Sequence, residues 1–281
     1  MLRWRRLFPD VPPPIRFRGG LWWTLDMDFV DTELLNGGYE TAELTFVSAF
    51  TKPGMTVLDI GAHRGLHTAL LSKRVGRRGR VFSFEPSPRN IRRLKLHRAI
   101  NRCWNVEIKD YALGEENGVA ELYEVPAQPV LNSLRPPDTD LSSCRTSVSV
   151  RKLDDVLLEA KVERVDFIKL DVEGGEFGVL KGAERLLEGP HRPVILCEVL
   201  DLRTRPWGYA ARLIIEHLLQ RGFVWFDLNA NGELLSLETE RSDFSGNFVA
   251  VPKESLHTVA DLRPGQSAAE QPSQHATAAA K

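Results

Sequence analysis

The chain has 281 residues, 42% hydrophobic and 27% charged, with a formal net charge of −1; this ordinary globular balance gives no global electrostatic ground for binding nucleic acid or a membrane surface. Cys103, Cys144 and Cys197 lack CxxC spacing, which fits a reducing, cytoplasmic setting and argues against a disulfide framework or a cysteine zinc site. No apolar stretch approaches the roughly 18 residues that span a bilayer, so no stable membrane insertion is expected.

In chain order, residues 1–14, MLRWRRLFPDVPPP, are basic but broken by Pro9 and Pro12 to Pro14. They read as a flexible arm rather than a signal peptide. Residues 15–50 form an N-terminal extension in which Gly19-Gly20 is a candidate hairpin turn, followed by a helix from Tyr39 to Phe50. Strands are expected at 56–60, 80–85, 105–113, 165–171, 193–199, 223–228 and 247–252, the last stopped by Pro252. Helices are expected at 65–75, 88–101, 176–189 and 209–222, the last two ending in Gly189 and Gly222. Several strands are continuous apolar runs, which suits strands covered on both faces. The alternation implies βαβ crossovers and an α/β, Rossmann-like doubly wound sheet. Residues 119–150 read as an insertion or lid, and 253–281 as a disordered tail.

The stretch TVLDIGAHRG, Thr56 to Gly65, places Asp59 at a carboxyl strand end, followed by Gly61 and Gly65. In open parallel sheets ligands sit beyond such ends. Glycine lets a backbone approach a ligand closely. The middle residues are Ala62, His63 and Arg64, so the dinucleotide fingerprint GxGxxG is absent. An acid before the glycines suits a cationic or amine-bearing ligand such as S-adenosylmethionine. Glu85 ends the second strand, 24 residues after Gly61. A carboxylate there can accept two hydrogen bonds from ribose hydroxyls.

The run LDIGAHRGLHTALLSKRV, with FEPSP, RKLDDVL, KLDVEGGEFGVLKGA and RPVILCEV, and with GGYETAELTFVSAFTKPG upstream, resembles the FkbM family of S-adenosylmethionine-dependent methyltransferases over about residues 20–252. The resemblance implies a class I methyltransferase fold with a seven-stranded sheet, the last strand antiparallel. It also implies O-methylation of a hydroxyl on a small molecule, a sugar or a secondary metabolite. One departure is GAHRGLHT, because members more often carry Asn at position 63 and an aromatic at position 67. By position, Asp59, Gly61, Ala62 and Gly65 would line the methionine end, and Glu85 would hold the ribose. Pro86 and Ser87 would shape the turn beneath the adenosine, while Asp110, Tyr111 and Ala112 would sit near the adenine. Asp110 also has a plain reading as a turn acid.

For the chemistry, strand four offers Lys169 and Asp171 on one face, with Glu173 and Glu176 at the following helix start. The helix dipole favours acids there without any catalytic need. Strand five adds Glu198 inside an otherwise apolar run, where a charge needs a partner or a purpose. Two arrangements stand open. Asp171 and Glu198 bind one Mg²⁺ that polarises the acceptor hydroxyl, as in catechol-type O-methyltransferases. Alternatively Asp171 or a histidine, His63 or His67, acts without metal as the base. Lys169 orients the acceptor or the cofactor carboxylate. Trp22, Trp23 and Phe29 either wall the acceptor site or pack a hairpin on the sheet. The competing functions are an NAD-dependent oxidoreductase, against which the missing fingerprint speaks, and a non-catalytic interaction subunit.

Overall fold

The computed structural model describes residues 12–17, 20–26, 28–241 and 243–264. The first eleven residues of the basic arm, Gly19 of the expected hairpin, and the tail from 265 lie outside the described residues. A short ribbon pairs β1 (Ile15–Arg16) with β2 (Trp22–Trp23) antiparallel, and two helices follow, α1 (Phe29–Asn36) and α2 (Thr41–Phe50). The alternating region runs β3 (Thr56–Ile60), α3 (Leu66–Val75), β4 (Arg80–Phe84), α4 (Pro88–Ile100) and β5 (Val106–Lys109). After β6 (Ala112–Leu113), β7 (Gly118–Glu124) and β8 (Cys144–Arg151) come α5 (Leu153–Glu159), β9 (Phe167–Leu170), α6 (Glu176–Lys181) and α7 (Glu184–Glu188). The chain continues with β10 (Val194–Leu200), α8 (Asp201–Thr204), α9 (Arg212–Gln220), β11 (Phe223–Leu228), β12 (Leu234–Ser236) and β13 (Ser245–Pro252).

The main sheet has the order β12-β11-β13-β10-β9-β3-β4-β5. β3, β4, β5, β9 and β10 are mutually parallel, and β13 enters antiparallel between β10 and β11. The sheet therefore carries eight strands, not seven, because Leu234–Ser236 adds a short edge strand against β11. Val57, Val81 and Phe167 pack into one apolar core, and their neighbours Leu58, Phe82 and Ile168 into another. That two-sided burial is why these strands read as continuous apolar runs.

Four regions differ from expectation. The 105–113 strand breaks at exposed Asp110: β5 stays in the main sheet and β6 joins the β7–β8 hairpin in a second sheet. The 176–189 helix divides because Asp154 caps α7 afresh, accepting from Arg185 N at 2.8 Å and Leu186 N at 3.2 Å. A helix at 29–36 appears where none is expected, capped by Asp28 and ended by Gly37 at φ 75°. Lys253–Leu262, expected as tail, is a 3₁₀ helix that buries Val259 completely.

Candidate active site

A cleft of about 260 Å³ opens at the carboxyl ends of β3, β4, β9 and β10. Asp59, Gly61, Ala62, Glu85, Pro86, Tyr111 and Ala112 line one part of it, and Lys169, Asp171 and Glu198 another. Three residues expected at the cofactor lie outside this lining. Gly65 starts α3 at φ 91°, and a Cβ there would stand 2.4 Å from Leu94 Cδ1. Ser87 is buried beneath the turn, where it caps α4 and donates to Glu124 Oε1 at 2.5 Å. Asp110 is exposed at the corner where the chain leaves the main sheet.

Gly61 lines the cleft and also brings two strand ends together. It sits at φ 81°, and a Cβ would fall 1.6 Å from the Asp171 carbonyl. The absent side chain lets two neighbouring strand ends touch. Gly174 and Gly175 work in the same way. A Cβ on Gly174 would lie 2.1 Å from Arg203 O, and one on Gly175 2.9 Å from the Trp207 ring. The GG of DVEGGE thus admits the Arg203–Trp207 segment over the strand tip, where Trp207 Nε1 donates to Glu173 O at 3.2 Å.

Asp59 is fully buried. Its Oδ2 accepts from Thr68 Oγ1 at 2.5 Å, and its Oδ1 has no partner among the described residues. Glu85 Oε2 accepts from His63 N at 2.8 Å, and Oε1 from Ser87 N at 2.8 Å and Asn90 Nδ2 at 3.4 Å. That leaves acceptor capacity on Oε2. Burial outweighs these donors and pushes the Glu85 carboxyl up to about 7. His63 is held neutral, its pKa pulled down to about 3 by burial and by the charges of Arg64 and Lys169. A buried orphan oxygen on Asp59 and an open lone pair on Glu85 fit the ammonium and ribose of an S-adenosyl nucleoside.

At the other end, Lys169 donates to Asp171 Oδ2 at 2.8 Å. Burial opposes its charge, but Asp171, Glu40 and Asp59 outweigh that and raise its pKa. Glu198 and Glu173 are both raised well above the usual carboxylate range, by burial first and then by Asp171. Glu198 Oε2 and Glu173 Oε2 are both buried without a hydrogen bond among the described residues, and Glu173 Oε2 stands 2.7 Å from Arg203 Nε as an ion pair.

Sequence reasoning assigned no role to Tyr39 or Glu40, which also line the cleft. Glu40 sits at φ 44°, a strained value for a non-glycine residue, and pairs with His67 Nε2. Although burial raises its carboxyl, His67 and Lys169 draw it down to about 2. Burial and the neighbouring Glu40 and Asp171 push the Tyr39 phenol well above its ordinary value. Their signal is the GGYETAEL segment, which resembles the family but carries no strand-end logic.

Asp171, Glu173 and Glu198 offer carboxylate oxygens all within 4.8 Å of one another. Two of the three are already engaged by the cations of Lys169 and Arg203. A divalent ion would have to displace the Lys169 ammonium from Asp171, so the trio fits a resident Mg²⁺ poorly.

Among the described residues no helix is long and apolar enough to cross a membrane. The chain is 28% identical over 154 residues to "2-O-methyltransferase NoeI" of Sinorhizobium fredii (strain NBRC 101917 / NGR234), covering 50% of this chain and 62% of that protein. It therefore spans less than two thirds of that relative's length. It is 26% identical over 178 residues to "Methyltransferase 1" of Beauveria bassiana (strain ARSEF 2860), covering 57% of this chain and 70% of that one. Among solved structures, an O-methyltransferase from Bacillus cereus in complex with SAH aligns at a TM-score of 0.46 and 15% identity, covering 81% of this chain and 85% of that one. Fibrillarin from Aeropyrum pernix aligns at 0.44 and 16%, covering 86% and 98%. The profile of the methyltransferase FkbM domain matches residues 59–225, from the first strand-tip acid into β11, and the chain belongs to the FkbM methyltransferase family.

Proposed function

We propose that the chain is an S-adenosylmethionine-dependent O-methyltransferase acting on a hydroxyl of a small molecule, a sugar or a secondary metabolite. The observation that carries this reading is the placement of Asp59 and Glu85, two buried carboxylates at adjacent strand tips, in one cleft with Lys169, Asp171 and Glu198. Family membership and the relative named as a 2-O-methyltransferase support it. No dinucleotide fingerprint supports the oxidoreductase alternative.

Asp59, Gly61 and Ala62 would hold the methionine end of the cofactor, Glu85 with Pro86 the ribose, and Tyr111 with Ala112 the adenine. When bound, the cofactor supplies a methyl group on a sulfonium, a leaving group that needs no activation by the protein. The protein's task is to align the acceptor hydroxyl and manage its proton. Lys169 stays cationic and fixes the Asp171 carboxylate by their 2.8 Å hydrogen bond. Asp171 then accepts a hydrogen bond from the acceptor hydroxyl, aims its oxygen and takes its proton as the methyl is transferred. Glu198, its carboxyl raised by burial and by Asp171, stands beside it with Oε2 unpartnered. Of the two arrangements for the acids, the metal-free one is the better supported, since Lys169 already supplies the cation beside Asp171.

The test is transfer of labelled methyl from S-adenosylmethionine to a panel of hydroxylated sugars and phenols, with mass analysis of the products. The reading expects a methylated product and S-adenosylhomocysteine in equal amounts. Cofactor binding without transfer to any member of a broad panel favours the non-catalytic alternative.

A further inference from the structure

Arg64 stands in the cofactor turn, yet it is absent from the cleft lining while Ala62, His63, Leu66 and His67 are present. Its side chain, 2% exposed, points away into the N-terminal extension. The guanidinium meets Asp31 as a fork, Nη2 to Oδ1 at 3.0 Å and Nη1 to Oδ2 at 3.3 Å. It also reaches Asp28 at 3.0 Å and Asp26 at 3.4 Å. Trp23 lies against it at 5.3 Å and donates from Nε1 to Asp31 at 3.1 Å. The backbone of the same residue makes a second link. His97 Nδ1 donates to Arg64 O at 2.7 Å, so its Nε2 is the acceptor for Thr24 N at 3.2 Å and Thr24 Oγ1 at 2.8 Å. Burial and the charges of Arg64 and Arg93 keep this imidazole neutral, its pKa drawn down to about 4. Trp23, Phe29 and Val30, carried by the segment so anchored, form a wall of the cleft.

We propose that Arg64 couples the cofactor turn to this wall: filling the turn orders residues 22–40, so that the acceptor side is completed only after the cofactor is bound. The proposal rests on the methyltransferase reading above. Its basis is that one residue belongs to both parts. Neighbouring His63 sits at φ 49° and gives its N–H to Glu85, so a ligand held by Glu85 and Ala62 restrains the backbone on which Arg64 rides. The turn also has supports of its own: Gly61 N and Ala62 N both donate to Phe84 O, at 3.0 and 2.9 Å, and Gly65 N donates to Ala62 O. Removing the Arg64 fork should therefore uncouple the wall without dismantling the turn.

The experiment is amide hydrogen exchange of the full chain with and without S-adenosylhomocysteine, alongside calorimetric titration of that nucleoside. In the wild type, bound nucleoside should slow exchange across residues 22–40 by about tenfold, within the usual range of coupling between sites. In Arg64→Lys, which keeps a charge but not the fork, the nucleoside should bind within about threefold of wild type and the added protection should disappear. Asp31→Asn tests the same fork from the other side and should lose the protection likewise. Equal nucleoside-dependent protection in both variants would overturn the coupling, as would wild-type binding with no protection. Absence of nucleoside binding to the wild type would instead overturn the reading of the cleft, and the coupling with it.

Discussion

Asp59 and Lys169 face each other in register across the two central parallel strands, β3 and β9. The pairing puts an acid of β3 and a cation of β9 on one face of the sheet. Lys169 is then shared among Asp59, Asp171 and Glu40, which together hold it charged. Asp59 and Asp171, proposed for the cofactor end and the acceptor end, are thus parts of a single buried charge network.

Lys169→Met should be costly to the fold. It would leave Asp59 and Asp171 without their common cation in a buried site, a change that typically costs about 3–5 kcal/mol. Urea melts of wild type and variant measure this directly. A loss below about 1 kcal/mol, the scale of an exposed pair, would show that the network is solvated.

Asp171→Ala should separate binding from chemistry. Loss of a positioned proton-handling group lowers turnover by about 100- to 10,000-fold. S-Adenosylhomocysteine affinity should change little, because the nucleoside is assigned to Asp59 and Glu85 instead. Lost affinity with turnover restored at saturating cofactor would place Asp171 at the cofactor.

Cofactor affinity should depend on pH through Glu85. Burial pushes its carboxyl up to about 7, and the ribose hydroxyls need the ionised form as acceptor. Affinity should therefore be at its plateau above that value and fall by about tenfold per pH unit below it. Glu85→Gln, which cannot ionise, should bind weakly with a flat profile. A wild-type affinity constant from pH 5 to 8 contradicts the assignment.

Chelation should leave activity unchanged. Lys169 and Arg203 occupy the carboxylates that a divalent ion would need. Turnover in excess EDTA should equal turnover in added Mg²⁺. Activity lost in EDTA and restored by Mg²⁺ would show instead that the ion displaces Lys169.

Much of the fold was legible because β3, β4, β9 and β10 are covered on both faces and so read as unbroken apolar runs. Their acids, Asp59, Glu85, Asp171 and Glu198, stand out for the same reason: a charge in or at the end of an apolar strand is a local signal. The misses share the opposite property. Tyr39 and Glu40 enter the cleft from a helix start, and Asp26, Asp28 and Asp31 find Arg64 across more than thirty positions of chain. Nothing in their spacing announces those partners. Gly61, Gly174 and Gly175 were visible as glycines, but the backbone or ring that each admits was not.

The central claim is that the cleft bordered by Asp59 and Glu85 holds an S-adenosyl nucleoside. Isothermal titration of S-adenosylhomocysteine into wild type and Glu85→Gln tests it most directly. The account predicts saturable one-to-one binding to the wild type, weakened in the variant by about 10- to 100-fold, the cost of hydrogen bonds to a charged acceptor. Absence of binding to the wild type, or equal affinity in both proteins, would contradict it.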